Sequence, residues 1–347
     1  MTSDAKAQSA QTLPASAPVP IVFIDCSAIM RSALDHLRDH LGDHLGDHLG
    51  DHLEEHLGLG HALVVHEGDP NPAELAALLG DARVVLNGHT ILNESVLSRA
   101  THLRSIVFLG TGASTYIDMS AAARRSICVR TVRNYADRTV AEHAFALLWS
   151  AARDIARMDR DIRRGRWSAS EGLELAGRTL GVVGVGGVGA QMARIAAAVG
   201  MRVIAWNRSG IPADVPAEPA ELDTLLATSD AVSLHVALVP QTRGLIDARR
   251  LGLMRAGAIL VNTARGALVE EAALIGALQA GHLAHAALDV FDGEPIGPDH
   301  PLARLENVTL TSHAAWKSRA ASRRLLQLAL ALAAEDARRL AAGEPLA

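Results

Sequence analysis

The feature that most narrows the possible folds is the run Thr179-Leu180-Gly181-Val182-Val183-Gly184-Val185-Gly186-Gly187-Val188-Gly189. A strand-like segment, Leu180–Val183, gives way to glycines in the G-x-G-x-x-G spacing and then to the helix-forming run QMARIAAA. Glycine-rich runs also make plain tight turns, so the spacing alone is a weak signal. The strand before it and the helix after it supply the context of a dinucleotide loop. In that setting Gly184 permits the turn, Gly186 lets the backbone approach a pyrophosphate, and Gly189 allows close helix–strand contact. The first amides of the helix, near Gly187 and Val188, would face the phosphates at the positive end of the helix dipole.

Such a unit demands a parallel sheet covered by helices, and the rest of the chain agrees. Ile21–Ile24, Ala62–His66, Ala82–Leu86 and Ser105–Leu109 read as strands with helical segments between them. Downstream, MRVIAWN, AVSLHV, AILVNT, HAALDV and VTLTSH read as further strands, and 320–342 as a long Ala/Leu-rich helix. The alternation predicts an α/β chain, and 347 residues suit two domains. Residues 1–19, rich in small polar residues, are expected to be disordered. Residues 140–167 read as one amphipathic helix, which could cover a sheet or offer an apolar seam to a partner subunit.

Aromatic residues make up only 3% of the chain, so Ala, Leu and Val must fill the core. A net charge of −5 supplies no basic field for nucleic acid or an anionic membrane. No apolar run approaches the ~18 residues of a membrane span, and no signal-peptide core opens the chain, which predicts a cytoplasmic protein. Cys26 and Cys128 are expected as two separate thiols.

Between Asp35 and Gly58 a four-residue repeat places His36, His40, His44, His48, His52 and His56 at every fourth position. On a helix that is a metal-ligand spacing. Each step of four, however, drifts by about 40° around an α-helix. Gly42, Gly46, Gly50 and Gly58 each cost ~1 kcal/mol of helix propensity relative to Ala. The repeat is read as a low-complexity lengthening of the first helix, with no catalytic metal expected.

Three polar residues stand at the ends of successive apolar segments. Arg265 follows AILVNT and His313 follows VTLTS, while Glu294 lies in the turn after HAALDV. Ligands of open α/β sheets bind at the carboxyl ends of strands. A guanidinium there can hold a carboxylate through two parallel bonds. An imidazole, which titrates near neutrality, can exchange a proton with a keto oxygen, and a paired carboxylate would favour its charged form. The residue expected to read the cofactor's ribose is Asn207, where NAD-binding loops carry an acid. Asn does not repel a 2′-phosphate, and Arg208 and Ser209 could bind one, so NADP is favoured over NAD.

Together these residues resemble the D-isomer-specific 2-hydroxyacid dehydrogenase family, over nearly the whole chain after about residue 20. The resemblance implies a flavodoxin-like substrate domain, residues 20–119 with 320–347, and a doubly wound NAD(P)-binding domain, residues 120–319. It implies an oxidoreductase that moves hydride between NAD(P)H and a small 2-keto or D-2-hydroxy acid. Arg265, Glu294 and His313 would be catalytic, in a cleft between the domains. Asp289 would contact the nicotinamide carboxamide, and Thr263 and Ala264 would border the ring. Val236, Ala237 and Thr242 would lie by the adenosine. Substrate contacts would come from backbone amides of the Asn87-Gly88 and Gly110–Gly112 loops. The 140–167 helix would form a homodimer interface. The Ala-Trp pair after His313 resembles hydroxypyruvate-reductase-like members. GTGASTYID, one residue longer than the common form, and RNYAD, where Pro-Gly is usual, leave the substrate open among glyoxylate, hydroxypyruvate and phosphohydroxypyruvate. Two other readings stand beside it: a nucleotide-sensing, corepressor-like binding protein, and a family member acting on formate or phosphite.

Overall fold

The strand-like runs all pair in parallel in the computed structural model, which describes residues 19–42 and 63–346, with the side chains of 38–42 excepted. The first sheet comprises β1 (Ile21–Cys26), β2 (Leu63–Glu67), β3 (Val84–Asn87), β4 (Ser105–Phe108) and β5 (Cys128–Thr131), in the order β2-β1-β3-β4-β5. This is the flavodoxin-like order. The second comprises β6 (Thr179–Val183), β7 (Arg202–Trp206), β8 (Glu218–Pro219), β9 (Ala231–Leu234), β10 (Ala258–Asn262), β11 (Leu283–Leu288) and β12 (Val308–Leu310). Its order, β12-β11-β10-β9-β6-β7-β8, reverses direction between β6 and β9, as in a doubly wound dinucleotide fold. Parallel strands covered on both faces need no polar side, so β1, β3 and β10 are buried throughout.

The chain divides into two compact units, one running through Tyr135 and resuming at Arg319, the other spanning Ala136–Ser318. The first boundary therefore lies beyond the expected residue 119. The cause is β5, which pairs with β4 and carries the chain to 131 within the first sheet. The helix Arg319–Ala341 also belongs to this unit. Its buried face follows helical spacing through Leu325, Leu326, Ala329, Leu330, Ala333 and Ala337, and it packs on β3 and β4. Burying each of those leucines contributes about 2 kcal/mol. Asp336 fixes its register: one carboxylate oxygen accepts from Ser105 Oγ at 2.6 Å and the other from Arg130 Nη1 at 2.8 Å.

The single helix expected over 140–167 is two, Asp137–Ala152 and Ile155–Arg163. The break falls at Asp154, whose φ of 54° is left-handed. Its carboxylate accepts from Arg157 at 2.9 Å and Ser170 at 2.6 Å, and those bonds hold the turn. Burial pushes the Cys26 thiol up to about 11 and raises that of Cys128 as well. The first helix runs Ala28–Gly42 into the histidine repeat. The repeat from residue 43 onward, and any metal affinity of its imidazoles, lies outside the described residues. No helix among the described residues is long and apolar enough to cross a membrane.

Candidate active site

Strand register brings the polar residues of the second unit to one edge. Asn262 of β10 pairs with Leu288 of β11, and Leu288 with Leu310 of β12. Arg265, Asp289 and His313 all follow shortly after these aligned ends. His313 Nδ1 meets Glu294 Oε2 at 2.7 Å. A carboxylate only accepts, so Nδ1 carries the proton and Nε2 is the nitrogen left to exchange one with a ligand. The other carboxylate oxygen of Glu294 accepts the Phe291 amide at 2.9 Å, which fixes the acid itself.

His313 has φ 48°, a left-handed conformation that costs a non-glycine residue of order 1 kcal/mol. Asp289 holds it there. The Asp289 carbonyl accepts the His313 amide at 2.9 Å, and its fully buried carboxylate accepts the amides of Ala314 and Ala315, each at 2.9 Å. Thr311 Oγ1 donates to the same carboxylate at 2.6 Å. The side chain expected at the nicotinamide carboxamide is thus turned inward, because its oxygens are occupied by the turn bearing His313.

Arg265 is placed by a residue that the sequence reading passed over. Buried Asn262 accepts the Ala264 amide at 3.0 Å and donates to the Arg265 carbonyl at 2.8 Å, closing the turn after β10. The guanidinium donates to the Ala264 carbonyl at 2.6 Å and has no carboxylate partner among the described residues. Its remaining donors suit an anion.

The glycine loop leaves β6 at the switch point. Gly184 has φ 95°, and a Cβ at Gly189 would lie 1.9 Å from the Gly184 carbonyl oxygen, so neither position admits a side chain. The helix Gly187–Ala198 opens directly from the loop. The Asp137 carboxylate packs against Gly187, and burial pushes its pKa up. Behind the loop, His235 meets Ser233 Oγ at 2.8 Å, and burial lowers its pKa to about 4.

Asn207, expected to read the ribose, has its amide engaged within the protein. Oδ1 accepts the Val185 amide at 3.1 Å, and Nδ2 donates to Ser209 Oγ at 3.0 Å and the Gly210 carbonyl at 2.7 Å. It ties the end of β7 to the glycine loop and shapes the turn that presents exposed Arg208. Ser209 accepts in that bond and keeps its hydroxyl proton to donate. Thr242 likewise closes a turn, its Oγ1 donating to the Ala237 carbonyl at 2.7 Å and accepting the Val239 amide at 2.8 Å, which shapes the segment from Val236 onward.

In the first unit, Asn87 is the last residue of β3, paired with Phe108 at the end of β4, and Gly112 follows β4. The Gly88 amide, expected to meet a substrate carboxylate, donates instead to buried Asp25 at 2.8 Å. The amides of His89 and Thr90 go to the same carboxylate, at 2.6 and 2.8 Å. Asn87 is fully buried, donating to the Thr90 carbonyl and accepting its amide. An Asp inside the apolar run IVFIDC was the signal for this clamp.

A nicotinamide dinucleotide fits the second unit. Above Gly186 the space a Cβ would take is open, as a backbone-hugging pyrophosphate needs. Thr263 Oγ1 is buried after β10 with no hydrogen-bond partner among the described residues, an orphan that a ligand's polar group would satisfy.

A doubly wound domain with a glycine loop at its switch point is a dinucleotide-binding domain. Residues 145–315 match the family model for the NAD-binding domain of D-isomer specific 2-hydroxyacid dehydrogenases. The chain is 38% identical over 274 residues to a glyoxylate reductase of Aeropyrum pernix, covering 74% of this chain and 82% of that protein. It is also 38% identical over 268 residues to a D-3-phosphoglycerate dehydrogenase of Archaeoglobus fulgidus, covering 76% of this chain but 50% of that protein. The chain thus spans about half the length of that second relative. Among solved structures, the TT0316 protein from Thermus thermophilus superposes with a TM-score of 0.76 at 34% identity, over 94% of this chain and 98% of that one. The chain belongs to the D-isomer-specific 2-hydroxyacid dehydrogenase family.

Proposed function

We propose that the protein transfers hydride between NAD(P)H and a small 2-keto acid or D-2-hydroxy acid. The observation that carries this reading is the 2.7 Å Glu294–His313 pair, set at the same sheet edge as Arg265 in a dinucleotide-binding unit. A bound nicotinamide supplies the hydride. Arg265 holds the substrate carboxylate and stabilises the charge that develops on the keto oxygen. His313 Nε2 gives that oxygen its proton in reduction and takes one back in oxidation, while Glu294 keeps the ring oriented through Nδ1. Thr263 and Ala264 border the nicotinamide. In the first unit, which serves the substrate, the turn at Gly112 offers the remaining backbone contact.

NADP is the favoured cofactor. An amide at Asn207, in place of a carboxylate, leaves nothing to repel a 2′-phosphate, and Arg208 has no carboxylate partner among the described residues. A homodimer through the 140–167 region is part of the same reading. Trp149, Ile155, Ile162 and Trp167 are 44, 53, 58 and 92% exposed there, an apolar set that a second copy would cover.

The deciding experiment follows NADPH and NADH oxidation with glyoxylate, hydroxypyruvate, pyruvate and bulkier 2-keto acids, for the wild type and His313→Ala. Turnover that vanishes in the variant while cofactor binding persists is the expected result. Tight cofactor binding without turnover on any of these acids would overturn the reading.

A further inference from the structure

We infer that His143 is a positioning residue for the acid–base group, reaching the His313 turn through Thr311 and Asp289; this rests on the role proposed for His313. His143 lies on the helix Asp137–Ala152, and its Nε2 is 3.1 Å from Thr311 Oγ1 and 3.6 Å from Asp289 Oδ1. The Thr311 hydroxyl already gives its only proton to Asp289 at 2.6 Å. Toward His143 it can therefore only accept, which makes Nε2–H the donor and fixes the tautomer. The result is a directed chain: His143 Nε2–H to Thr311 Oγ1, Thr311 O–H to Asp289, and Asp289 to the amides of Ala314 and Ala315.

The chain ends on a turn that must be held against its own preference. His313 is left-handed, and the amides just after it are those that Asp289 accepts. With Nε2 directed at Thr311, His143 orients the hydroxyl that in turn points at the carboxylate. Without that donor, the Thr311 hydroxyl can rotate, and Asp289 loses its fixed third contact. Displacing a catalytic group by about 1 Å costs on the order of 100-fold in rate. The helix thus delivers a polar contact to the carboxyl edge of a sheet that it otherwise covers with Ala141, Ala144 and Leu148.

The test compares His143→Leu, His143→Gln and Thr311→Val with the wild type, with His313→Ala alongside. Gln carries an amide nitrogen close to the place of Nε2 and can restore the donor. His143→Leu and Thr311→Val are each expected to lower kcat by about 10- to 100-fold. Cofactor Kd should stay within about twofold, and His143→Gln should recover to within about threefold of the wild type. Combining His143→Leu with Thr311→Val should cost no more than the worse single change, because both cut the same chain. Undiminished kcat in both single variants overturns the inference, as do losses that multiply in the double variant. An equal loss in His143→Gln also overturns it. If His143→Leu does not fold, Thr311→Val and His143→Gln decide the matter. Normal turnover by His313→Ala would instead sink the role given to His313, a separate failure.

Discussion

Glu294 spans two partners, the imidazole of His313 at 2.7 Å through one oxygen and the backbone amide of Phe291 at 2.9 Å through the other. The acid is therefore held before it holds the base, and its charge is aimed at Nδ1. Glu294→Gln keeps the size and one hydrogen bond but removes that charge. It should lower kcat about 100-fold for reduction with cofactor Kd unchanged. A variant as fast as the wild type in steady-state assays would show that the pair is structural.

Arg208 should set the choice of cofactor. Arg208→Ala is expected to raise KM for NADPH about 10- to 30-fold, the loss of one charge-assisted contact, and to leave KM for NADH nearly constant. Parallel titrations of the two cofactors decide it. An equal effect on both would mean that the turn after β7 does not read the 2′-phosphate.

His285 makes folding sensitive to acid. It is 3% exposed in β11, with Nε2 2.9 Å from Thr309 Oγ1, and burial lowers its pKa from 6.5 to about 4 despite the pull of Asp154. The unfolded chain therefore binds this proton more tightly than the folded one. The stability contributed by the neutral ring is complete above pH ~6.5 and is lost as pH falls toward ~4, about 2 kcal/mol of it by pH ~5. Urea unfolding at about pH 7.5 and about pH 5 should show a drop that is smaller by roughly that amount in His285→Gln. Identical drops in the two proteins would remove His285 as the cause.

Ile162 and Trp167 should govern assembly. Charging the exposed apolar set with Ile162→Asp and Trp167→Ser is expected to convert a dimer to a monomer in light scattering, because a buried unpaired carboxylate is costly. A wild type that is already monomeric would refute the dimer.

Much of the fold was open to reading because parallel strands advertise themselves. IVFIDC and AILVN are apolar along their length, and the glycine spacing fixed where β6 ends. Arg265, Glu294 and His313 could be picked out by their places after successive strands. The first boundary could not, because SICVRTV reads as a strand but nothing in it says that β5 joins β4 in the first sheet. Nor could the break at Asp154, where no Gly or Pro marks the stop and the turn is held by Ser170, sixteen residues further on. The inward turn of Asp289 was hidden for a similar reason, and the Gly88–Asp25 bond left only the sign of an acid within an apolar run. Each depends on a neighbour that only the folded chain supplies, Thr311 in one case and the end of β1 in the other.

The return of the Arg319–Ala341 helix to the first sheet imposes an order on synthesis. Every residue of the second unit is synthesised before that helix, so this unit is complete in sequence while the first still lacks a part. The first unit, though begun earlier, must wait with the β3–β4 face uncovered until Leu325, Leu326 and Leu330 arrive to close it. A message truncated just before Arg319 would thus yield one finished half and one sticky half, the species that chaperones and proteases are built to find.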